Sequence, residues 1–251
     1  MQTILSKTPA DLGAVSAAKT AQLLNAAITE RGEARLLLST GASQFTMFEH
    51  LIHEKVDWTK VTMFHLDEYV NMSPSHPASF RRYLKERFVQ LLPCAPKAFY
   101  FVEGDDSAAA LAELGAKINE APIDVGLIGI GENAHIAFND PPANFDIEDA
   151  YIVVMLDEAC RKQQFGEGWF PTMDDVPRTA VSMSCKQIMK CKTILSAVPY
   201  AVKANAVYAT LKTQKTDPMV PATLLKEHPE FYLYVDADSA KLALEAGLIQ
   251  G

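Results

Sequence analysis

The sequence predicts an α/β fold in which a mostly parallel, Rossmann-like sheet carries helices on both faces. Two observations support this prediction. Short apolar runs alternate with stretches of helical periodicity, which is the pattern of repeated strand–helix units. These runs are rich in Val, Ile and Leu, as expected of strands that are buried on both faces. The chain has 251 residues, of which 49% are hydrophobic, so we expect a single domain over residues 1–251.

The elements can be predicted in order along the chain. A first helix is expected after Thr8-Pro9, because proline suits a first turn and the apolar residues from Leu12 to Ile28 keep helical spacing. The predicted strands are the runs ARLLLS, VTMFHL, DVGLIG, TILSAV and FYLYV. Further helices are expected over residues 44–54, 79–92, 107–119, 185–190, 201–211 and 239–246. Residues 141–177 are expected to form a long irregular connection of the kind that often binds or covers a ligand.

Charge and cysteine content narrow the class of protein. The net charge is −8 and no Lys/Arg tract stands out, which argues against nucleic acid and anionic membranes as partners. The four cysteines show no C-x-x-C spacing, as is usual for reduced thiols in the cytoplasm. No signal peptide is recognisable, and no apolar segment approaches the roughly 20 residues that span a bilayer. We therefore expect a cytoplasmic protein, for which a homo-oligomer is a possible state.

Polar and glycine-rich clusters follow the predicted strands directly. In sheets of this kind ligands bind at the carboxyl ends of the strands, so these clusters are expected to converge on one site. The residues concerned are Thr40, Gly41, Ser43, Asp67, Glu68, Asn133, His135 and Lys203.

The stretch GIGENAHIAFNDPP, residues 129–142, permits two interpretations. It matches the dinucleotide fingerprint G-x-G-x-x-A, but that fingerprint requires a long helix directly after the glycines. Pro141 and Pro142 leave room for about two helical turns at most, which argues against NAD. The alternative is a polar active-site loop that carries Asn133, His135 and Asp140. No metal-ligand spacing such as H-x-x-x-H is present, so no metal is expected.

Two other clusters leave the choice between function and structure open. The loop in LSTGASQF could hold a phosphate on backbone amides at a helix start, or it could be an ordinary turn with Ser43 as N-cap. In HLDEY, Asp67 and Glu68 are adjacent at a strand end and face opposite ways, so only one is expected to reach a site. A dehydrated carboxylate there could serve as a general base, whereas a capping or salt-bridging pair would be structural.

Taken together, these clusters resemble the glucosamine-6-phosphate deaminase (isomerase) family, whose fold also occurs in the 6-phosphogluconolactonases. LSTGAS resembles the family's A-T-G-S-T phosphate loop, and FHLDEYV resembles F-x-x-D-E-Y. GIGENAHIAFNDP resembles G-x-G-x-D-G-H-I-A-F-N-E-P, and VPATLLKEHP resembles V-P-x-S-x-L-Q-x-H-P. HIAFN is similar to the deaminase branch rather than the lactonase branch. The resemblance implies a fold of the glucosamine-6-phosphate deaminase, ribose-5-phosphate isomerase and CoA-transferase type.

The resemblance also implies an activity: isomerisation of an amino sugar phosphate with loss of ammonia at C2, without cofactor or metal. Asp67 would move the C2 proton, His135 would assist ring opening, and Asp140 would orient His135. Phosphate would bind Lys203 and the loop formed by Thr40, Gly41, Ala42 and Ser43, and Glu68 is grouped with the substrate-binding residues. A lactone hydrolase and a non-catalytic sugar-phosphate sensor are the alternatives.

Departures from the family pattern bear on these roles. Asn133 and Ala134 stand where the family has Asp and Gly, so a charge beside His135 is lost and a Cβ is added where a positive φ could be required. Gly166 stands near the family's second phosphate-binding Arg, with Arg161 and Arg178 as candidate substitutes. The segment around it suggests altered contacts to the sugar through Gln163, Gln164, Glu167 and Trp169.

Overall fold

The computed structural model describes residues 1–166 and 168–250 and is built around a seven-stranded sheet. All of its neighbouring strands pair in parallel, and their spatial order is β1-β10-β9-β6-β2-β3-β5. The strands are β1 (Gln2–Ser6), β2 (Ala34–Leu38), β3 (Val61–His65), β5 (Ala98–Tyr100), β6 (Val125–Leu127), β9 (Thr193–Val198) and β10 (Phe231–Asp236). This confirms the predicted α/β class with a mostly parallel sheet.

A second, three-stranded antiparallel sheet lies beside the first, in the order β4-β8-β7. It consists of β4 (Asp67–Tyr69), β7 (Tyr151–Met155) and β8 (Thr179–Met183). The two sheets meet at Leu66, which separates β3 from β4 and whose carbonyl accepts a hydrogen bond from the Met183 N–H. The chain therefore passes from the large sheet to the small one immediately before Asp67.

Helices cover both faces of the large sheet. Leu12, Met47 and Leu84 from α1, α2 and α3 contribute to one buried core. Ile118, Ile188, Val207 and Ala243 from α4, α6, α7 and α8 contribute to the other. The helices are α1 (Pro9–Arg31), α2 (Phe45–Leu51), α3 (Phe80–Arg87), α4 (Ala108–Asn119), α5 (Glu158–Gly166), α6 (Cys185–Ile188), α7 (Ala204–Lys212) and α8 (Lys241–Glu245). Among the described residues, no helix is long and apolar enough to cross a membrane.

The prediction of an irregular connection over residues 141–177 is wrong, because this segment contains β7 and α5. Strand β7, at the border of the small sheet, is buried only at Tyr151, and beyond it half-buried positions alternate with the exposed Val153 and Met155. Helix α5 has no apolar stripe for periodicity to detect, since its buried described side chains are Cys160 and Gln164. The predicted helices are present with shorter bounds, and two of them begin as 3-10 turns, Ala42–Gln44 and Ala201–Lys203.

Candidate active site

A cleft opens at the carboxyl ends of the central strands, where the sequence predicts the site. The structure brings seven of the predicted residues into its wall: Thr40, Gly41, Ala42, Ser43, Asp67, His135 and Lys203. Asn133 and Asp140 do not line the cleft but contact the His135 ring from behind. Among the predicted site residues, Glu68 alone is turned away from both the cleft and His135.

His135 is 9% exposed and is fixed through one of its two ring nitrogens. Its Nδ1 lies 2.6 Å from Asn133 Oδ1 and 3.1 Å from Asp140 Oδ1. Asn133 Nδ2 in turn donates to Asp140 Oδ1 over 3.3 Å. Asp140 thus supplies the negative charge beside the imidazole that Asn133 cannot, and Asn133 links the two groups.

The hydrogen bonds around Asn133 determine the tautomer of His135. The backbone N–H of His135, which can only donate, is 3.2 Å from the same Asn133 oxygen. The amide must therefore present Oδ1 to the ring, and Nδ1 must carry a proton in order to donate to it. In the neutral ring, Nε2 is then the unprotonated nitrogen, and it is available to exchange protons with a ligand.

Asp140 is held in its ionised form. Its burial opposes ionisation, but hydrogen bonds from His135 and Asn133 outweigh that effect and keep its pKa below the usual range. The Cys160 thiol of α5 lies against this carboxylate, and burial together with the Asp140 charge raises the pKa of that thiol far above its usual range. Cys160 therefore stays protonated and connects α5 to the His135–Asp140 pair.

The backbone around His135 is adapted to the position of the ring. A Cβ at Gly131 would lie 2.2–2.5 Å from three atoms of the imidazole, so only glycine permits the ring to rest there. Ala134 has φ +66° and is buried, which bears out the expectation that its position requires a positive φ. Ala137 has φ +50°. The loop thus places two non-glycine residues in a strained region of φ/ψ space next to the site.

Asp67 enters the cleft as an isolated carboxylate. It is 6% exposed, and no described residue donates a hydrogen bond to its side chain. Burial raises the pKa of Asp67 to about 8, and the charge of the neighbouring Glu68 adds to the shift. A carboxyl group that gains and loses its proton near neutral pH is suited to general acid–base catalysis.

The expected contact of Glu68 with substrate is corrected by the structure. Its carboxylate lies at the start of α3, where it accepts hydrogen bonds from the Ser79 hydroxyl at 2.7 Å and from the Phe80 and Arg81 N–H groups at 3.2 and 3.1 Å. It also pairs with the Arg81 guanidinium at 3.2 Å. Alternation along β4 explains this placement, because consecutive side chains of a strand point to opposite faces. We therefore assign Glu68 to the anchoring of α3.

The glycine-rich loop at residues 40–43 turns sharply into a 3-10 turn and then into α2. Gly41 has φ +98° and ψ 163°, a conformation essentially restricted to glycine. No described residue accepts a hydrogen bond from the N–H groups of Gly41, Ala42 or Ser43, as is common at a helix start. Ser43 does not act as an N-cap; its hydroxyl accepts from the Gln44 amide at 3.0 Å. The loop therefore presents amide donors to the cleft.

Lys203 is the only Lys or Arg among the described residues that line the cleft. The two arginines considered as substitutes for the missing family Arg lie elsewhere. Arg161 donates to the carbonyls of Met173 at 2.7 Å and Val176 at 3.2 Å, and Arg178 is exposed outside the cleft. Among the described residues, no group of three or more His, Cys, Asp or Glu side chains is placed to hold a metal ion.

Gln164 reaches the cleft from α5, as the sequence suggests for this segment. It is 7% exposed, and its Oε1 accepts a hydrogen bond from the Tyr69 hydroxyl at 2.6 Å. No described residue accepts a hydrogen bond from its amide nitrogen. Trp169 lies in an adjoining cavity, and Glu167 and the Gln163 side chain lie outside the described part of the chain.

The sequence does not predict two aromatic residues that line the cleft. Phe80 and Phe138 stack with ring centroids 5.8 Å apart and line the cleft beside Gln164. Phe138 lies within HIAFN and could have been inferred from that motif. Phe80 carries no such signal, because it is an ordinary first residue of α3 whose side chain reaches the cleft only through the packing of that helix.

Comparisons with known proteins agree with this geometry. Residues 7–233 match a family described as glucosamine-6-phosphate isomerases/6-phosphogluconolactonase. A glucosamine-6-phosphate deaminase of Staphylococcus epidermidis is 35% identical over 221 residues, covering 85% of this chain and 89% of the relative. A protein of the same name from Lactobacillus delbrueckii subsp. bulgaricus is 31% identical and covers 96% of this chain and 99% of the relative.

Solved structures give the same result for the fold. A monomeric glucosamine-6-phosphate deaminase superposes with a TM-score of 0.87 at 29% identity, covering 96% of this chain and all of the other. A 6-phosphogluconolactonase from Shewanella baltica superposes with a TM-score of 0.75 at 19% identity, covering 94% and 98% of the two chains. At that identity the lactonase shows a shared fold and no more.

Proposed function

The chain belongs to the glucosamine-6-phosphate isomerase/6-phosphogluconolactonase family, and from this membership and the geometry of the cleft we propose that it converts a hexosamine 6-phosphate to the ketose phosphate and ammonia. Glucosamine 6-phosphate is the first substrate to consider, because relatives that are 30–36% identical carry the name glucosamine-6-phosphate deaminase. One observation carries the proposal: the isolated Asp67 carboxylate and His135, whose tautomer is defined, line the same cleft.

In the proposed complex the phosphate lies on the loop at residues 40–43. The free N–H groups of that loop and the Ser43 hydroxyl donate to it, and Lys203 supplies a positive charge. The sugar then extends toward Asp67 and His135, with Gln164 and the rings of Phe80 and Phe138 along its side.

The first proposed step opens the sugar ring. Neutral His135 takes the proton of the C1 hydroxyl on Nε2 and returns it to the ring oxygen as the C1–oxygen bond of the ring breaks. The open chain then has an aldehyde at C1. The imidazolium formed in between is stabilised by Asp140 across the 3.1 Å contact to Nδ1.

The next steps move hydrogen and release the amine. Ionised Asp67 takes the proton from C2, which is acidified by the adjacent aldehyde, and the aldehyde oxygen takes up a proton to become the C1 hydroxyl of an enolamine. The Asp67 proton is then returned at C1 while the amine nitrogen gives up a proton. The resulting imine at C2 adds water and expels ammonia, leaving the ketose phosphate. These steps are proton transfers and one hydrolysis, so the proposed reaction needs neither a metal nor an organic cofactor.

The test is to incubate the protein with glucosamine 6-phosphate and, separately, with galactosamine 6-phosphate, and to measure ammonia and the ketose phosphate. We expect both products in equal amounts from at least one sugar. Hydrolysis of 6-phosphogluconolactone serves as the control reaction and should be absent. Release of no ammonia from either sugar would contradict the proposal.

Lys203→Ala tests the proposed phosphate-binding site. We expect KM to rise by about 10-fold or more with a much smaller change in kcat, because a charge-assisted contact is lost in the ground state and the transition state alike. An unchanged KM would remove Lys203 from the phosphate site.

We further propose that residues 1–251 act as one catalytic domain in the cytoplasm. The four cysteines are all free thiols, which is consistent with a reducing compartment. A sugar phosphate is the proposed partner, and the net charge of −8 disfavours nucleic acid.

A further inference from the structure

A second cavity adjoins the cleft at the loop of residues 40–43, here called the phosphate loop after its proposed ligand. The two share Gly41 and Ala42 of the loop, together with Phe80 and Gln164. We call the second cavity the arginine chamber, after the two guanidinium groups in its wall. The chamber is lined by the rings of Phe45, Tyr69, Phe80, Tyr83 and Trp169, by Arg82 and Arg87, and by the Glu86 carboxylate, which pairs with Arg82.

The two arginines of the chamber differ in the number of hydrogen bonds that their guanidinium groups donate. Arg82 donates to the Glu86 carboxylate at 2.8 Å and to the Ser75 carbonyl at 2.9 Å. Arg87 has no hydrogen-bond acceptor or ion-pair partner among the described residues. Its guanidinium lies over the Phe45 ring, 4.8 Å from the centroid. Stacking of this kind positions a guanidinium and leaves the N–H groups at its edge free to bind an anion.

The chamber is physically connected to the phosphate loop. Phe45, under the Arg87 guanidinium, is the first residue of α2 and stacks on Tyr83 with centroids 5.6 Å apart. The Tyr83 hydroxyl donates to the Gly41 carbonyl at 2.7 Å. Arg87, Phe45, Tyr83 and Gly41 thus form one continuous series of contacts.

The cleft itself is short of positive charge. A phosphate monoester carries close to two negative charges at neutral pH, whereas Lys203 is the only Lys or Arg among the described residues of the cleft wall. The chain as a whole carries a net charge of −8. A second cation would offset the remaining negative charge, and the chamber places Arg87 in one cavity with Gly41 and Ala42.

We propose that the arginine chamber is an anion subsite for a phosphate monoester, with Arg87 as its cation. The inference rests on the proposed function in that the ester is taken to be a sugar phosphate. Two phosphates with this chemistry could occupy the subsite. One is the substrate's own phosphate, bound at Gly41 and Ala42, which line both the cleft and the chamber. The other is the phosphate of a second sugar-phosphate molecule.

The variant that tests the subsite is Arg87→Ala, and the chain offers a matched control. Lys85 belongs to the same helix, is exposed, and has its ammonium 4.9 Å from the centroid of the Phe101 ring, outside the chamber. We expect Arg87→Ala to weaken sugar-phosphate binding by about 10-fold, the loss of one charge-assisted contact. Lys85→Ala should bind as the parent does.

Calorimetric titration with fructose 6-phosphate in ammonia-free buffer separates the two sources, because the ketose binds without being aminated. One ligand per chain, bound about 10-fold more weakly by Arg87→Ala, identifies the substrate's own phosphate. Two ligands per chain, of which Arg87→Ala loses the weaker, identify a second molecule. Parent-like affinity and stoichiometry in Arg87→Ala would overturn the proposal.

Titration with inorganic phosphate keeps this test separate from the proposed reaction. If neither amino sugar phosphate releases ammonia, weaker phosphate binding by Arg87→Ala but not by Lys85→Ala still supports the subsite. Equal phosphate binding by the parent and both variants would overturn it, whether or not the chain turns over a sugar.

Discussion

Asp67 and His135 acquire their proposed chemistry from opposite kinds of surroundings. Asp67 is buried without a hydrogen-bond donor among the described residues, so its pKa rises to about 8. His135 is surrounded by partners on one side, and these leave only Nε2 to act. A raised pKa makes Asp67 a stronger base, whereas a proton shuttle must be oriented, and each residue has the environment that its proposed role requires.

Asp67→Asn should abolish exchange of the C2 proton of the substrate with D₂O while sugar-phosphate binding persists. General acid–base catalysis contributes roughly 10²–10⁴-fold, so we expect kcat to fall by at least that much. In the parent, kcat/KM should rise with pH up to about 8, because Asp67 must be ionised to act as a base. Asp106→Asn, an exposed carboxylate, is the control. Retained exchange in Asp67→Asn would remove the residue from this role.

Asn133→Ala tests whether the amide sets the orientation of His135. The ring would keep Asp140 as an acceptor at 3.1 Å, so we expect a loss in kcat smaller than the roughly 10²–10⁴-fold value of acid–base catalysis. Asn133→Asp retains an acceptor at the same place and should lose less than Asn133→Ala. Equal kcat in all three proteins would show that the 2.6 Å contact does not matter for turnover.

At the scale of single residues, the sequence predicts which side chains come together but not which hydrogen bonds join them. The positions of Asp67 and His135 follow from strand ends, and that of Asp140 from the resemblance. The sequence shows that a charge beside His135 is lost at Asn133, and it leaves open whether another residue compensates. In the structure Asn133 bridges His135 and Asp140. Such a bridge depends on side-chain geometry within a loop, which residue identity does not determine.

At the scale of elements, backbone geometry fixes the glycine-rich loop at residues 40–43, and the Glu68 carboxylate fixes the start of α3. Gly41→Ala should raise KM by roughly 10-fold or more, because the φ of +98° costs any other residue about 1–3 kcal/mol and the loop will relax away from it. A Cβ there meets no atom within 4 Å, so the effect is conformational rather than steric. Gly32→Ala, another glycine with positive φ and open space around it, is the control. It should lower stability by about 1 kcal/mol with KM unchanged.

Glu68→Gln separates an anchoring role from substrate binding. The change weakens the buried pair with Arg81 and the hydrogen bonds at the start of α3, so we expect the free energy of unfolding to fall by about 1–3 kcal/mol with KM for the sugar phosphate unchanged. Removing the Glu68 charge should also lower the pKa of Asp67, which would move the rise in kcat/KM to lower pH. A large rise in KM with parent-like stability would restore Glu68 as a substrate ligand.

The central strands and most helices are predictable because their apolar spacing reflects burial in the large sheet. The small sheet is not, since β4 consists of the three residues Asp67–Tyr69 and β7 is half exposed. Helix α5 packs through Cys160 and Gln164, a pair that no hydrophobic pattern reveals. The edge strands β1 and β5 of the large sheet are not predicted either. Of the unpredicted elements, β4 and α5 contribute Asp67 and Gln164 to the cleft.

At the scale of the whole molecule, two buried groups should shape the dependence of stability on pH. Burial, aided by the Arg81 charge, lowers the pKa of His65 from 6.5 to about 3. As pH falls below 6.5 the unfolded chain takes up this proton first, so stability is lost between about pH 6.5 and 3. For Asp67, raised from 3.8 to about 8, the unfolded chain loses its proton first, so stability is lost as pH rises from about 4 to 8.

Urea unfolding of the parent, His65→Gln and Asp67→Asn at pH 5, 7 and 9 checks these signs. Gln can still accept the hydrogen bond that the Val102 N–H gives to His65 at 2.8 Å. We expect His65→Gln to lose less stability than the parent between pH 7 and 5, and Asp67→Asn to gain on the parent as pH rises. Parallel stability curves for all three proteins would contradict both assignments.

The join of the two sheets at Leu66 has a consequence for substrate choice. The proposed phosphate ligands belong to loops of the large sheet, whereas Asp67 is the first residue of the small one. The proposed sugar must therefore reach from the loops of the large sheet to the first residue of the small one, and this distance acts as a ruler for the number of carbons from the phosphate to C2. A pentose 5-phosphate would be one carbon too short for that ruler whatever the configuration of its hydroxyl groups.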